Sequence, residues 1–366
     1  MKILLSLARS AVAAALLLAL VGGAGAAEIQ GLYEAVVSVD SRDDERQRQQ
    51  AFVSALREVL IKLTGHADVT EHPVIQDALR SSQTYVETWA YRTQVLPGAN
   101  DQSLTVEVQF YQAEIERLLD RAGIALWPRN RPETLVWMVV QDELGERAFA
   151  DPSTVSDQPL LDFLRLEASK RGLPLVTPLF DFDDQRLLRP DQLWALDGVA
   201  IQQASARYPV ESVLAVRVLQ TVTGDVIARS VHFFRNRALQ NEALELPAAD
   251  FLRSTVSLVA RELADNYGVL LTAPAATSGE SMVLTVDGVQ GLGDYAALLD
   301  YLGKVPGISR LQVREVAGDR LAFSFTAAGQ VRQLVENLAL NRRLQTAATP
   351  VREAGGFMLR YRWQPE

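Results

Sequence analysis

Apolar positions recur at helical spacing through Ala51, Phe52, Ala55, Leu56, Val59, Leu60 and Leu63. The run follows a polar opening over residues 42–50 and stops at Thr64-Gly65. This period predicts an amphipathic helix capped by Asp40 or Ser41 and closed by glycine. Residues 31–39, ahead of it, alternate as a half-buried strand does. Residues 73–81 read as a short second helix. Residues 84–95 and 104–110 read as strands joined through Pro97-Gly98-Ala99-Asn100-Asp101, and residues 112–122 as a helix turning Ile115, Leu118 and Leu119 inward. That order describes an α+β unit with a helix-covered antiparallel sheet.

The next stretch alternates strand and helix more regularly. Residues 135–140 form a continuous apolar run, the mark of a strand buried on both faces. An amphipathic helix over 160–171 closes at Gly172, and residues 175–179 form a strand. Helical stretches over 190–196 and 199–207 lead to strands over 212–219 and 225–235, separated by a turn at Thr223-Gly224, and then to a long helix over 248–267. Strands separated by helices predict βαβ units. The last stretch reads strand 282–286, helix 292–304, a hairpin of 308–317 and 320–326 across Gly318-Asp319, helix 328–341 and strand 356–363. The order βαββαβ is the ferredoxin-like, split βαβ arrangement.

Two joints divide these stretches. Leu126-Trp127-Pro128-Arg129-Asn130-Arg131-Pro132 is stiffened by its prolines, and residues 272–281 are small and polar. The expected architecture is α/β and α+β in three small domains: 28–127, a central βαβ-type domain at 133–272, and a C-terminal ferredoxin-like domain at 281–366. A length of 366 residues with 48% hydrophobic and 22% charged composition suits several ordinary cores and excludes a disordered chain.

Residues 1–26 read as a secretory leader. Lys2 and Arg9 supply the positive start, residues 11–21 are uninterruptedly apolar, and Ala24-Gly25-Ala26 offers a cleavage site before Ala27. The apolar core is short against the roughly 20 residues that span a bilayer. Cleavage makes the formal charge two units more negative than −9, which disfavours nucleic acid as a partner. The chain has no cysteine, so disulfides, thiolate metal sites and thioether lipidation are closed to it. Periplasmic residence without a membrane span is the expectation.

Candidate chemistry is sparse, and no catalytic, cofactor or metal residue is assigned. His66 and His72 flank Asp68 and Glu71, but their spacing fits no zinc-enzyme pattern. His232, beside Phe233 and Phe234, reads as a core or strand-edge histidine. Asp181-Phe182-Asp183-Asp184 lies beyond a strand end, where α/β folds place ligands, and is the best enzymatic candidate, as a metal-dependent hydrolase or small-ligand site. It lacks the glycine and twelfth-position glutamate of an EF-hand. Gly288-Val289-Gln290-Gly291-Leu292-Gly293 has the wrong order for a dinucleotide loop. Aromatics beside arginines form the remaining feature: Trp89, Tyr91 and Arg92; Trp127, Arg129 and Arg131; Tyr361 and Trp363. They read either as strand packing with snorkelling arginines or as a protein contact surface.

The chain resembles the exported bacterial family catalogued as domain of unknown function 2066. The residues that carry the resemblance run from Tyr33-Glu34-Ala35-Val36-Val37 to Ala55-Leu56-Arg57-Glu58-Val59-Leu60-Ile61-Lys62-Leu63-Thr64-Gly65, then Tyr85 to Tyr91, then Leu126-Trp127-Pro128 with Arg131-Pro132. The layout is similar, more distantly, to periplasmic envelope-assembly proteins that bind other proteins. The resemblance implies a non-catalytic periplasmic interaction or assembly protein, with other envelope proteins as partners and no cofactor.

Overall fold

The computed structural model describes residues 26–95, 102–142, 144–152, 159–221, 225–271, 280–327, 331–341, 343–353 and 356–364. Most of the leader, the turns at 97–101 and 223–224 and most of the joint at 272–281 lie outside the described residues. The fold is mixed α/β, with ten α-helices and four sheets among the described residues.

The chain opens with β1 (Ala26–Glu28), β2 (Glu34–Ser38) and α1 (Glu45–Thr64). Asp44, and neither Asp40 nor Ser41, caps α1 by accepting from the amides of Arg46 and Gln47. Asp40 and Ser41 are engaged elsewhere, their amides donating to Gln47 Oε1. The polar opening of the helix thus folds back on its own approach. After α2 (Pro73–Arg80) come β3 (Val86–Val95), β4 (Gln102–Phe110) and α3 (Gln112–Ala122). The sheet runs β2-β4-β3, antiparallel throughout. Leu56, Val59, Leu60 and Leu63 of α1 are fully buried with Val106, Val108 and Ile115.

The central unit holds β5 (Asn130–Pro132), β6 (Thr134–Gln141), β7 (Arg147–Phe149), α4 (Pro159–Lys170), β8 (Leu175–Val176), α5 (Phe182–Leu187), α6 (Pro190–Trp194), α7 (Gly198–Ser205), β9 (Ser212–Gln220), β10 (Asp225–Phe234), β11 (Arg237–Pro247) and α8 (Ala248–Tyr267). Its sheet runs β11-β10-β9-β6-β7, with β8 also beside β6. Only β6, β8 and β9 are parallel, and β9, β10 and β11 form an antiparallel meander. Val136 and Met138 of β6 face α4 and α8, while Leu135 and Trp137 face the layer built by α5–α7. Cover on both faces explains why β6 reads as an unbroken apolar run.

The third unit holds β12 (Glu280–Asp287), α9 (Leu292–Lys304), β13 (Ile308–Ala317), β14 (Arg320–Ala327), α10 (Val331–Ala339), β15 (Leu344–Glu353) and β16 (Gly356–Trp363). Its sheet runs β13-β14-β12-β16-β15, which departs from the four-strand expectation. The first split-βαβ half forms, but the chain inserts the extra strand β15. The hairpin that follows then seats β16 parallel to β12. β15 escaped the sequence reading because it is an edge strand with two register shifts between Thr346 and Val351 and a proline, Pro350, within it, so it carries little alternation.

A buried polar ladder crosses the central sheet. Thr134 Oγ1 lies 2.8 Å from Ser212 Oγ, which lies 2.9 Å from His232 Nε2. The Ser–His spacing resembles a nucleophile and base, but Ser212 and His232 are 0% and 1% exposed, so no substrate reaches them. Burial pushes the His232 imidazole down to about 4. The folded state therefore binds fewer protons than the unfolded chain between the two values, and stability falls as pH drops from about 6.5 towards 4. Between pH 7 and 4.5, wild type is expected to lose roughly 2–3 kcal/mol more than His232→Phe. Denaturant titrations at both pH values check this, and equal losses would contradict it.

Candidate functional site at the interdomain joint

Arg131 sits at 0% exposure where the first unit meets the central one. All of its donors go to main-chain carbonyls: Nε to Pro128 (3.0 Å), Nη1 to Arg171 and Gly172 (both 2.9 Å), and Nη2 to Lys62 (2.8 Å) and Trp127 (3.1 Å). Lys62 lies in the last turn of α1, and Arg171 and Gly172 lie just past α4. The guanidinium thus satisfies carbonyls that two helix ends leave without partners, and it sits at the negative pole of both dipoles. Its flat face lies 3.9 Å from the centre of the Trp127 ring, itself fully buried. Burial pushes the guanidinium down to about 9, which leaves it charged at neutral pH.

Neighbouring residues are fitted to this centre. Gly172, at φ +60°, leaves no room for a Cβ, which would lie 2.6 Å from Arg131 Nη1. Gly65, the left-handed cap of α1, faces α8, where a Cβ would lie 2.4 Å from Ala264 Cβ. Lys62 Nζ reaches back to the carbonyl of Glu34 at 2.8 Å, and burial lowers its pKa. The joint is also stitched by its main chain. Trp127 donates to Leu63 (2.7 Å), Leu126 and Val269 exchange both hydrogen bonds, and β5 pairs antiparallel with β1. Trp127 packs into the central core, whereas Leu271 packs against the core of the first unit.

Helix α8 carries the remaining contacts. His66 Nε2 lies 3.1 Å from Asp265 Oδ1, and Arg261 pairs with Asp68 at 2.7 Å. On the other side Asn337 of α10 donates to the Tyr267 carbonyl at 2.6 Å, Arg235 pairs with Glu336, and Leu340 enters the central core. All three units therefore meet at the end of α8.

The eight sequence-singled residues fall in three places rather than on one surface. Trp127 and Arg131 are buried in the joint, and Arg129 lies at its rim, 3.3 Å from Glu28. Tyr361 and Trp363 are core residues, with the Trp363 indole donating to Asp294 at 2.9 Å. The physical reason is strand alternation: on β16 the aromatics point inward and Arg360 and Arg362 outward, so an Arg–aromatic pattern marks an amphipathic strand. Trp89 is 43% exposed, edge-on to Phe52 and Tyr91 with Arg48 near its ring, and Arg92 pairs with Glu107.

The acidic segment is not an open loop. Asp181 caps α5, and Arg207 grips it through Nη1 (2.5 Å) and Nη2 (2.7 Å), holding its carboxyl down at about 2. Asp184, 1% exposed, accepts from Arg207 (2.9 Å), Tyr208 (2.6 Å) and the Phe180 amide (2.9 Å). Asp183 points outward near Arg186. A guanidinium occupies the place a cation would need. Among the described residues no group of three or more His, Asp or Glu converges as a metal ligand set. His66, His72 and Asp68 do share a cavity of about 400 Å³ at the three-unit junction.

The sequence reading missed Asp265, the small face of α8 and the pairing of β1 with β5. Both helix-closing glycines were visible in the sequence. That both helix ends converge on Arg131 is a tertiary fact that no local pattern carries.

A family model described as Domain of unknown function (DUF8605) matches residues 26–128, which span the first unit, β1 and the start of the joint. It is a different family from the one the sequence resembles. No curated protein matches the chain. Among solved structures, competence damage-inducible protein A (ComA) from Klebsiella pneumoniae subsp. pneumoniae MGH 78578 aligns at 14% identity, covering 42% of this chain and 92% of that chain. The TM-score of that alignment is 0.22.

Arg131→Lys keeps the charge but cannot reach five carbonyls, leaving helix-end groups buried without partners. It is expected to cost about 3 kcal/mol or more. It should also broaden the distance distribution between spin labels on α1 and α4, which the cysteine-free chain accepts cleanly through introduced cysteines. Unchanged stability with an unchanged distribution would show the joint to be a tether.

Proposed function

We propose that the chain is a non-catalytic protein-interaction or envelope-assembly protein of the periplasm. The observation that carries this reading is the Arg131 joint, a buried polar lock that holds the first and central units at a set angle. Such a lock suits a scaffold that presents two surfaces together. It adds little to an enzyme that needs one pocket. The leader-like start supports export, and among the described residues no helix is long and apolar enough to cross a membrane.

The alternative, a metal-dependent hydrolase at Asp181, Asp183 and Asp184, is the weaker reading because Arg207 and Tyr208 occupy the carboxylate oxygens that would bind a cation. Two measurements separate them. Photo-crosslinking residues placed over the exposed faces of the full chain in Gram-negative cells should give discrete adducts with envelope proteins, with the chain released by osmotic shock. Metal analysis of the purified protein should give less than stoichiometric zinc or manganese. A stoichiometric metal that disappears in Asp184→Asn, without adducts from any face, would overturn the proposal.

A further inference from the structure

A sheet with an open edge offers unpaired main-chain groups to any other chain, and most edges in this molecule are blunted against it. Strands β2, β7 and β8 are only five, three and two residues long. Strand β11 faces a register shift between Val226 and Ala228 and holds Glu245 at φ +54°. Strands β13 and β15 each carry two register shifts, and β15 also holds Pro350. Strand β3 has the least protection. Its ten residues include no proline or lysine, and after one shift between Val86 and Thr88 it stays in register with β4 through to Val95.

The hydrogen-bond pattern of β4 fixes which groups that edge presents. The Phe110 amide donates to the Tyr33 carbonyl and the Leu104 carbonyl accepts from Val39, both on the β2 side, whereas the Tyr111 amide donates to Tyr85 on the β3 side. Thr105, Glu107 and Gln109 therefore bond β3, through Arg92, Ala90 and Thr88. Alternation then turns the main-chain groups of Trp89, Tyr91 and Thr93 away from β4, and no described strand lies beyond them. The side chains suit an edge that a further strand would cover. Trp89 is 43% exposed although it packs edge-on to Phe52 and Tyr91. Arg92 is already held by Glu107 at 2.9 Å.

A second copy of the chain fits this edge. Two β3 strands related by a two-fold axis pair antiparallel, and their faces match only when one residue lies opposite its own copy. With the axis at Ala90, Trp89 of each copy lies opposite Tyr91 of the other, an aromatic cross-strand pair made twice. Ala90 meets Ala90 at the close, non-bonded position, about 4.5 Å between Cα atoms, which suits a small side chain. Arg92 faces the neutral Thr88. The neighbouring registers are poorer. With the axis at Trp89, Arg92 faces the irregular start at Val86; with it at Tyr91, Trp89 faces Thr93 and both aromatic pairs of unlike rings are lost. With the axis at Arg92, two guanidinium groups oppose each other.

We propose that β3 is a self-association edge, where two copies join β3 to β3 around Ala90 and merge their three-stranded sheets into one of six strands. The occupant is a second copy because the strand complements itself about Ala90 in charge, size and aromatic placement, which an edge built for an unrelated strand has no need to do. The pairing shares no residue with the Arg131 joint and goes beyond the interaction reading above, on which it does not depend.

The chain has no cysteine, so disulfide trapping reads the register directly. In the full chain, Ala90→Cys should give a disulfide-linked dimer under mild oxidation, because about 4.5 Å between Cα atoms is within disulfide reach. Thr88→Cys and Arg92→Cys should each oxidise alone roughly tenfold more slowly, since like residues then lie four positions, or about 14 Å, apart. Mixed together, those two variants should link as fast as Ala90→Cys. Sedimentation of the wild type should show a concentration-dependent dimer. Ala90→Lys opposes two ammonium groups at an exposed position and should weaken the dimer roughly tenfold or more, with far-ultraviolet circular dichroism unchanged. Mixing Ala90→Lys with Ala90→Glu should restore it. The inference is overturned if the wild type sediments as a monomer up to about 100 μM, if Arg92→Cys alone links as fast as Ala90→Cys, or if Ala90→Lys leaves the dimer intact. A monomeric chain whose β3 crosslinks to an envelope protein would also overturn it while sparing the scaffold reading. A β3 dimer without any envelope adduct would do the reverse.

Discussion

A guanidinium removed from water without a carboxylate beside it is tolerated only where enough dipoles converge to replace its hydration. Arg131 meets that condition with five carbonyls, two helix ends and an indole face. The condition works in both directions. The cation requires that α1, α4 and the joint come together, and the helix ends, buried as they are, require a donor there. Neither side is satisfied with the units apart, so the buried charge acts as a specificity device for interdomain geometry, whatever its net contribution to stability.

That geometry propagates through close packing. Gly65 and Gly172 adopt the left-handed region and also leave space no side chain could share, so the two helix stops are contact points as well as caps. The small residues Ala260 and Ala264 let α8 approach the first unit, and Tyr267 offers its carbonyl to the third. The third unit is therefore docked on the central one rather than strung behind it.

Much of the local structure was legible in the sequence. The bounds of α3, α8, α9, β13 and β16 agree with the periodicity, because each carries a clear apolar stripe or alternation ended by a turn residue. What escaped was short, edge-placed or dependent on long-range pairing: β1 and β5, β7, β11 and β15. The acidic segment escaped for another reason. Asp181 and Asp184 look available in sequence, and only the distant Arg207 and Tyr208 use up their oxygens. At the joint the sequence singled out Trp127 and Arg131 correctly as unusual, but composition could not decide whether they faced outward to a partner or inward to the chain itself. Burial decides it, and their partners are the chain's own helix ends.

Held by Arg131, the ends of α1 and α4 and the joint should open and close as one cooperative unit. Native-state hydrogen exchange read at the amides of Gly65, Trp127, Gly172 and Leu173, each bonded to a carbonyl in or next to this cluster, tests it most directly. A common opening free energy is expected for all four, close to that of the central core. Joint and α1-end amides that exchange far sooner than those after α4, each with its own opening free energy, would contradict it.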